Sequence, residues 1–112
     1  MPKIAQRLYA PRTRHALALF GQLVREARLK SALTTTDLAA RAGISRSLLQ
    51  RIEAGDPGCS IGVAFEVAAI CGVPLFEASE SSLASRLSQQ TEKMALMPKA
   101  VRSARKVVKD DF

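Results

Sequence analysis

The sequence predicts an all-α protein, a compact bundle of about five helices. Three observations carry this. Apolar residues recur at spacings of three and four through several stretches, the period of a helix buried on one side. Thr34, Ser45 and Ser60 each stand just before such a stretch, and Gly43, Gly55 and Gly72 just after one, where helices start and stop. Residues 34–55 set two short helices around one tight turn.

Residues 1–14, M-P-K-I-A-Q-R-L-Y-A-P-R-T-R, carry two prolines and four basic residues. They read as a basic arm, extended or partly helical. Such an arm either lies along a nucleic-acid backbone or groove or is disordered in the free protein. The first helix is expected from His15 to Ala32. Leu17, Phe20, Val24, Ala27 and Leu29 form its broad apolar face, with Arg25, Glu26, Arg28 and Lys30 mostly outside. His15, the sole histidine, reads as a surface residue.

In the second helix Thr34 is a cap, and Asp37 can reach back to the Thr34 amide in a capping box. Leu38, Ala39 and Ala42 make its stripe. Gly43 supplies the left-handed residue that stops it. Ile44 plugs the turn, and Ser45 caps the third helix. Leu48, Leu49 and Ile52 are that helix's buried stripe, and Gly55 ends it. Two short helices around a glycine-bearing turn make a helix-turn-helix.

The outward positions of the third helix are Arg46, Ser47, Gln50 and Arg51. Arg can bond guanine with two prongs, Gln can do so to adenine, and Ser bonds bases or phosphates. The helix's amino end offers free amides to phosphate. The same side chains also decorate ordinary solvated helices, so the ordered series of cap, glycine, plug, cap and glycine is the more specific signal.

L-V-R-E-A-R at 23–28, followed by L-T-x-x-D-L-A-x-R-A-G-I-S-R-S-L-L-Q-R-I-E-A-G at 33–55, resembles the Cro/C1-type (XRE) helix-turn-helix family. The likeness covers residues 23–73. It implies a lambda-repressor-like bundle whose third helix enters the major groove of double-stranded DNA. It implies a structural ion pair between Arg28 and Glu53. Thr34, Thr35 and Ser45 would help seat the DNA backbone. The family often has Gln where this chain has Thr35, and the shorter side chain weakens or removes that phosphate contact.

Residues Asp56–Cys59 form a turn opened by Asp-Pro and closed by Gly. Ser60 can cap the fourth helix, Ile61–Cys71, which ends at Gly72. Ile61, Ala64, Phe65, Ala68 and Cys71 line one face. Val63, Val67 and Ile70 occupy much of the rest, and Glu66 is its only charge. Such a helix is buried on more than one side. Either a homodimer covers the second face or the following segment does. A dimer suits a pseudo-palindromic operator, read by two recognition helices about one DNA turn apart.

Val73–Phe76 is a short link. Residues 79–97 are expected as an amphipathic helix with Leu83, Leu87, Met94 and Met97 as its sparse stripe. It packs on the bundle, dimerises or serves a partner. Pro98 ends it. The tail, residues 98–112, is basic, then acidic, then aromatic, with too few apolar residues to fold alone. It is either a solvated tail or an anchor, the latter carried by Arg102, Arg105, Val107, Val108, Asp110, Asp111 and Phe112. A Cro-like domain followed by P-K-x-V-R and a D-D-F ending resembles antitoxins of the HipB type. That likeness implies autoregulation of an operon, a HipA-like Ser/Thr kinase toxin as partner and, in a three-component variant, a further small operon protein.

Composition bounds these readings. The net charge is +7 and the pI about 10.1, which favour a polyanionic partner. Both ends are basic while residues 31–92 hold four Lys/Arg against seven acids. With one Tyr, four Phe and no Trp, base-stacking platforms are not expected. Cys59 and Cys71 lack the partners of a metal site, and no cofactor is expected. Nothing pairs a nucleophile with a base or cradles a phosphate in glycines, so no enzyme is expected. The amino end has no continuous apolar core of a signal peptide, no membrane is implied, and a reducing cytoplasmic compartment is expected. The reading is a dimeric, sequence-specific repressor of the HipB type, with a stand-alone phage-repressor-like regulator as the alternative.

Overall fold

The computed structural model describes residues 8–78 and 80–101. They form α1 (Pro11–Lys30), α2 (Thr35–Ala42), α3 (Arg46–Glu53), α4 (Ile61–Cys71) and α5 (Glu80–Ala95). The protein is all-α, as the sequence predicts. Among the described residues the only β feature is an isolated antiparallel bridge between Leu75 and Ala78, around a turn whose residues Phe76 and Glu77 are both left-handed.

The first helix starts four residues before His15, inside the expected arm. Pro11 occupies the first turn, where its missing N–H costs no bond and its fixed φ suits a helix. The Arg14 amide donates to the Ala10 carbonyl at 3.1 Å. The Arg14 Nη1 donates to the Tyr9 carbonyl at 2.8 Å. Residues 1–7 of the expected arm, and residues 102–112 of the tail, lie outside the described residues.

Helices α1 to α4 end alike. The residues after the last turn include one left-handed residue, in turn Ala32, Gly43, Gly55 and Gly72. Each ending is closed by paired amide-to-carbonyl bonds, such as Leu33 to Arg28 at 3.1 Å and Ile44 to Ala39 at 3.0 Å. Only α1 does this without glycine. Its helix therefore stops at Lys30, two residues short of the expected Ala32.

The core draws one large, fully buried side chain from each of these helices: Val24, Leu38, Leu49 and Val67. Ala39, Ile52 and Ala68 complete the cluster. Burying each large side chain is worth about 1.5–3 kcal/mol. α1 packs on α3 and α4, and α2 packs on α3 and α4.

Two expected faces are corrected. Leu29 is exposed, because it follows Arg28 around the helix to the outer side. In α4 the buried centre is Val67 and Ala68, while Ile61 stands 70% exposed. Val63 and Ile70 pack against the core of the same chain. Much of α4's all-round apolarity is thus used by α1 and α2.

Phe20 and Phe65 lie 6.4 Å apart, and Phe65 meets Phe76 edge-on at 6.1 Å, which extends the packing beyond α4.

The chain divides into two compact units, one ending at Ser79 and one beginning at Glu80. The second contains α5. Along it Leu87, Met94 and the following Met97 are exposed, and Thr91 Oγ1 donates to the Leu87 carbonyl at 2.8 Å.

Candidate nucleic-acid interface

The interface is built from how α2 and α3 are capped. The Thr34 hydroxyl accepts from the Asp37 amide at 3.0 Å, and the Thr34 amide donates to Asp37 Oδ2 at 3.1 Å. The capping box is complete. These bonds hold the Asp37 carboxyl below the usual carboxylate range. The Ser45 hydroxyl accepts from the Leu48 amide at 3.0 Å, which fixes the start of α3. Thr34 and Ser45 are exposed beside these caps, and Thr35 is half-buried in the first turn of α2. At Ser60 the backbone is that of a cap, but its hydroxyl makes no capping bond.

The position of α3 is set from behind by Arg28 and Glu53. Arg28 Nε donates to Glu53 Oε2 at 2.7 Å, and Nη2 to Oε1 at 3.2 Å. Its Nη1 donates to the Leu33 carbonyl at 2.9 Å. One guanidinium therefore ties the end of α1, the α1–α2 link and the end of α3. The hydrogen bond to Glu53 pushes the Arg28 pKa further up, against the cost of burial.

Two glycines bring α1 and α3 into backbone contact. A Cβ at Gly21 would lie against the Glu53 carbonyl oxygen and 2.7 Å from the Ile52 oxygen. A Cβ at Gly55, itself left-handed at φ +79°, would lie 2.9 Å from the Ala18 backbone. The end of α3 is seated directly on the main chain of α1. Nothing in the sequence marks Gly21 beyond its being a small residue in an amphipathic helix.

This leaves one face of α3 outward. At about 100° per residue, Ser47 and Gln50 stand opposite the buried Leu49 and Ile52. Arg46 and Arg51 flank them, and all four are exposed. Among the described residues Arg46, Ser47 and Gln50 engage no side-chain partner. Arg51 does: its Nε donates to Asp56 Oδ2 at 2.9 Å. Asp56 Oδ1 accepts from the Gly58 amide at 2.7 Å. These two bonds depress the Asp56 pKa, the Gly58 amide first, and Asp56 raises that of Arg51. The sequence marks Asp56 as a turn opener, and an Arg five residues before it is the signal that a side-chain bond was available.

Thr34 and Thr35 stand at the amino end of α2, Ser45, Arg46 and Ser47 at the amino end of α3, and Gln50 in the second turn of α3. Asp56 draws Arg51 aside. Arg102, Arg105, Val107, Val108, Asp110, Asp111 and Phe112 lie outside the described residues.

A family model described as a helix-turn-helix domain matches residues 19–80, more than half of the chain. The chain belongs to the helix-turn-helix domain family. The match begins within α1, spans α2 to α4 and reaches the first residue of α5. As a helix-turn-helix protein it is a DNA-binding transcription regulator. No curated protein matches the chain.

Within the helix-turn-helix domain the two cysteines are free thiols, pushed up in pKa chiefly by burial. Among the described residues no group of three or more His, Cys, Asp or Glu could hold a metal ion. No helix there is long and apolar enough to cross a membrane.

Proposed function

We propose that the protein is a sequence-specific repressor of the HipB antitoxin type, which controls its own operon and restrains a HipA-like Ser/Thr kinase. The observation that carries the DNA half is the outward face of α3. Among the described residues Arg46, Ser47 and Gln50 stand exposed and unengaged on a helix that a cap, an ion pair and two glycine contacts hold in place. A groove-reading helix needs that combination of free side chains and fixed backbone. Thr34, Thr35 and Ser45 seat adjacent phosphates, and the basic ends add salt-dependent affinity.

The protein acts as a homodimer on a pseudo-palindromic operator. The kinase half rests on the sequence of the tail, where Val107, Val108 and Phe112 are the anchors. It works in the cytoplasm and needs no cofactor.

The test has two parts. The chain first selects a duplex from a random-sequence library, and Gln50→Ala or Arg46→Ala is then compared on that duplex and on mixed-sequence DNA. A loss of about 1–3 kcal/mol on the selected duplex alone is expected. Equal losses on both would remove the base-reading role. The tagged chain is then expressed with its neighbouring genes and purified after nuclease treatment in high salt. A stoichiometric kinase-like protein supports the antitoxin role. Recovery of the chain alone favours the stand-alone regulator.

A further inference from the structure

The carboxyl end of α3 carries a second built arrangement, distinct from the outward face. Asp56 is anchored by its own turn, because Oδ1 takes the Gly58 amide at 2.7 Å. Its other oxygen holds Arg51 Nε at 2.9 Å. Gly58 is what leaves room. A Cβ there would stand 3.3 Å from Arg51 Nη2 and 3.2 Å from Asp56 Oδ1. One edge of the Arg51 guanidinium is therefore fixed by a carboxylate, Nη2 passes close to Gly58, and about half of the side chain is open to solvent.

We infer that Arg51, Asp56 and Gly58 form a pre-set phosphate clamp for a duplex backbone, in which Arg51 bonds the phosphodiester and Asp56 is the positioning residue. This rests on the DNA-binding reading above and gives Arg51 a different task from its neighbours. Three physical points favour phosphate over base. Arg51 lies at the edge of the outward face, next to the half-buried Leu48, whereas Ser47 and Gln50 hold its centre. Its side chain is drawn along the chain into the α3–α4 turn, away from the amino end that meets base edges. A guanidinium also offers five donors in a planar fork, so an Nε bond to carboxylate still leaves donors for phosphate oxygens. Holding the side chain beforehand removes part of the entropy that a free arginine loses on binding.

The clamp separates two properties. The centre of α3 sets which sequence is bound, and Arg51 sets how firmly any duplex is held. Asp56 places a negative charge close to DNA, which by itself weakens binding. The arrangement is useful only if alignment of Arg51 outweighs that repulsion.

The test is a double-mutant cycle on the full chain, read by fluorescence anisotropy. Its probes are the duplex the wild-type chain selects from a random library and a mixed-sequence duplex of equal length. Arg51→Ala is expected to weaken both by the same factor and to lower the slope of log affinity against log salt by about one. Asp56→Asn keeps an oxygen for the Gly58 amide and so preserves the turn. It is expected to weaken both duplexes about three- to tenfold in the wild-type background, and not to weaken them when Arg51 is already Ala. Thermal melts of each variant confirm that it is folded at the assay temperature.

Loss confined to the selected duplex in Arg51→Ala would make Arg51 a base reader and overturn the clamp. Tighter binding by Asp56→Asn in both backgrounds would make Asp56 a simple repelling charge, with the same consequence. Both results leave the DNA-binding reading standing. A wild-type chain that selects no duplex at all removes that reading, and the clamp with it.

Discussion

Arg28 and Glu53, 25 positions apart in the chain, meet through two hydrogen bonds with both side chains less than a tenth exposed. The pair lies behind the outward face and takes no part in it. It fixes the end of α3 to the end of α1, and through the Leu33 carbonyl it fixes the link to α2 as well. A buried ion pair adds little net stability compared with a well-packed apolar pair, but removing one partner strands a charge.

Glu53→Ala should therefore destabilise the fold by about 3–5 kcal/mol. Urea denaturation followed by circular dichroism measures it. The double variant Arg28→Met/Glu53→Leu should recover most of that loss, since it leaves no stranded charge. If the double variant is as unstable as the single one, geometry rather than charge is what the pair supplies.

Gly21→Ala tests the seam between α1 and α3. In a free helix Ala is favoured over Gly by about 1 kcal/mol. Here the new methyl would meet the Ile52 and Glu53 carbonyls, which are main chain and cannot swing away. A net loss of about 1–3 kcal/mol is expected, seen as a lower melting temperature. A neutral or stabilised variant would mean that the seam opens freely.

Ala32→Gly should act the other way. Ala32 sits at φ +58°, where a Cβ is strained by about 1–2 kcal/mol. The other three helices ending the same way have glycine there. Part of the relief is offset by the extra freedom of an unfolded glycine, so a gain of up to about 1 kcal/mol is expected. Differential scanning calorimetry of the two chains decides it.

Acid should loosen the fold through Asp37 and Asp56. Hydrogen bonds to Thr34 lower the folded pKa of Asp37; the Gly58 amide and then Arg51 lower that of Asp56. Unfolded aspartates titrate near about 3.9. A group with a lowered folded pKa supplies its stability above the unfolded value and loses it as pH falls through the folded one. The stability gap between the wild-type chain and Asp37→Asn/Asp56→Asn should thus be full above about pH 5 and shrink toward pH 2. Urea midpoints across that range measure it, and a gap independent of pH would discount both carboxylates.

Local chemistry was legible where one residue type has one job. Thr34 with Asp37, Gly43 and Ser45 announced their caps, and the family pattern announced Arg28 with Glu53. What stayed hidden depended on neighbours far along the chain. Gly21 shows its purpose only when the Glu53 carbonyl lies against it. Ala32 bends left-handed because the two closing bonds at the end of α1 demand it, although nothing in an alanine says so. Pro11 looked like part of an arm, and only the Arg14-to-Ala10 bond reveals it as a helix start. The apolar girth of α4 fitted either a second subunit or cover from within the chain, and which of its residues join the core, Val63, Val67 and Ile70, shows only once the helices are packed. On the outward face, only the bond to Asp56 distinguishes Arg51 from Arg46.

The division of α3 into a seated side and an unengaged side has an evolutionary consequence. Leu49, Ile52 and Glu53 answer to the rest of the protein, and few replacements satisfy them. Among the described residues Arg46, Ser47 and Gln50 bond to no other side chain, so they can be exchanged at little expense in folding. Under the proposed base-reading role, duplicated copies of such a gene can diverge in their targets by a few substitutions, each leaving a foldable protein behind. The scaffold stays fixed while its address is rewritten.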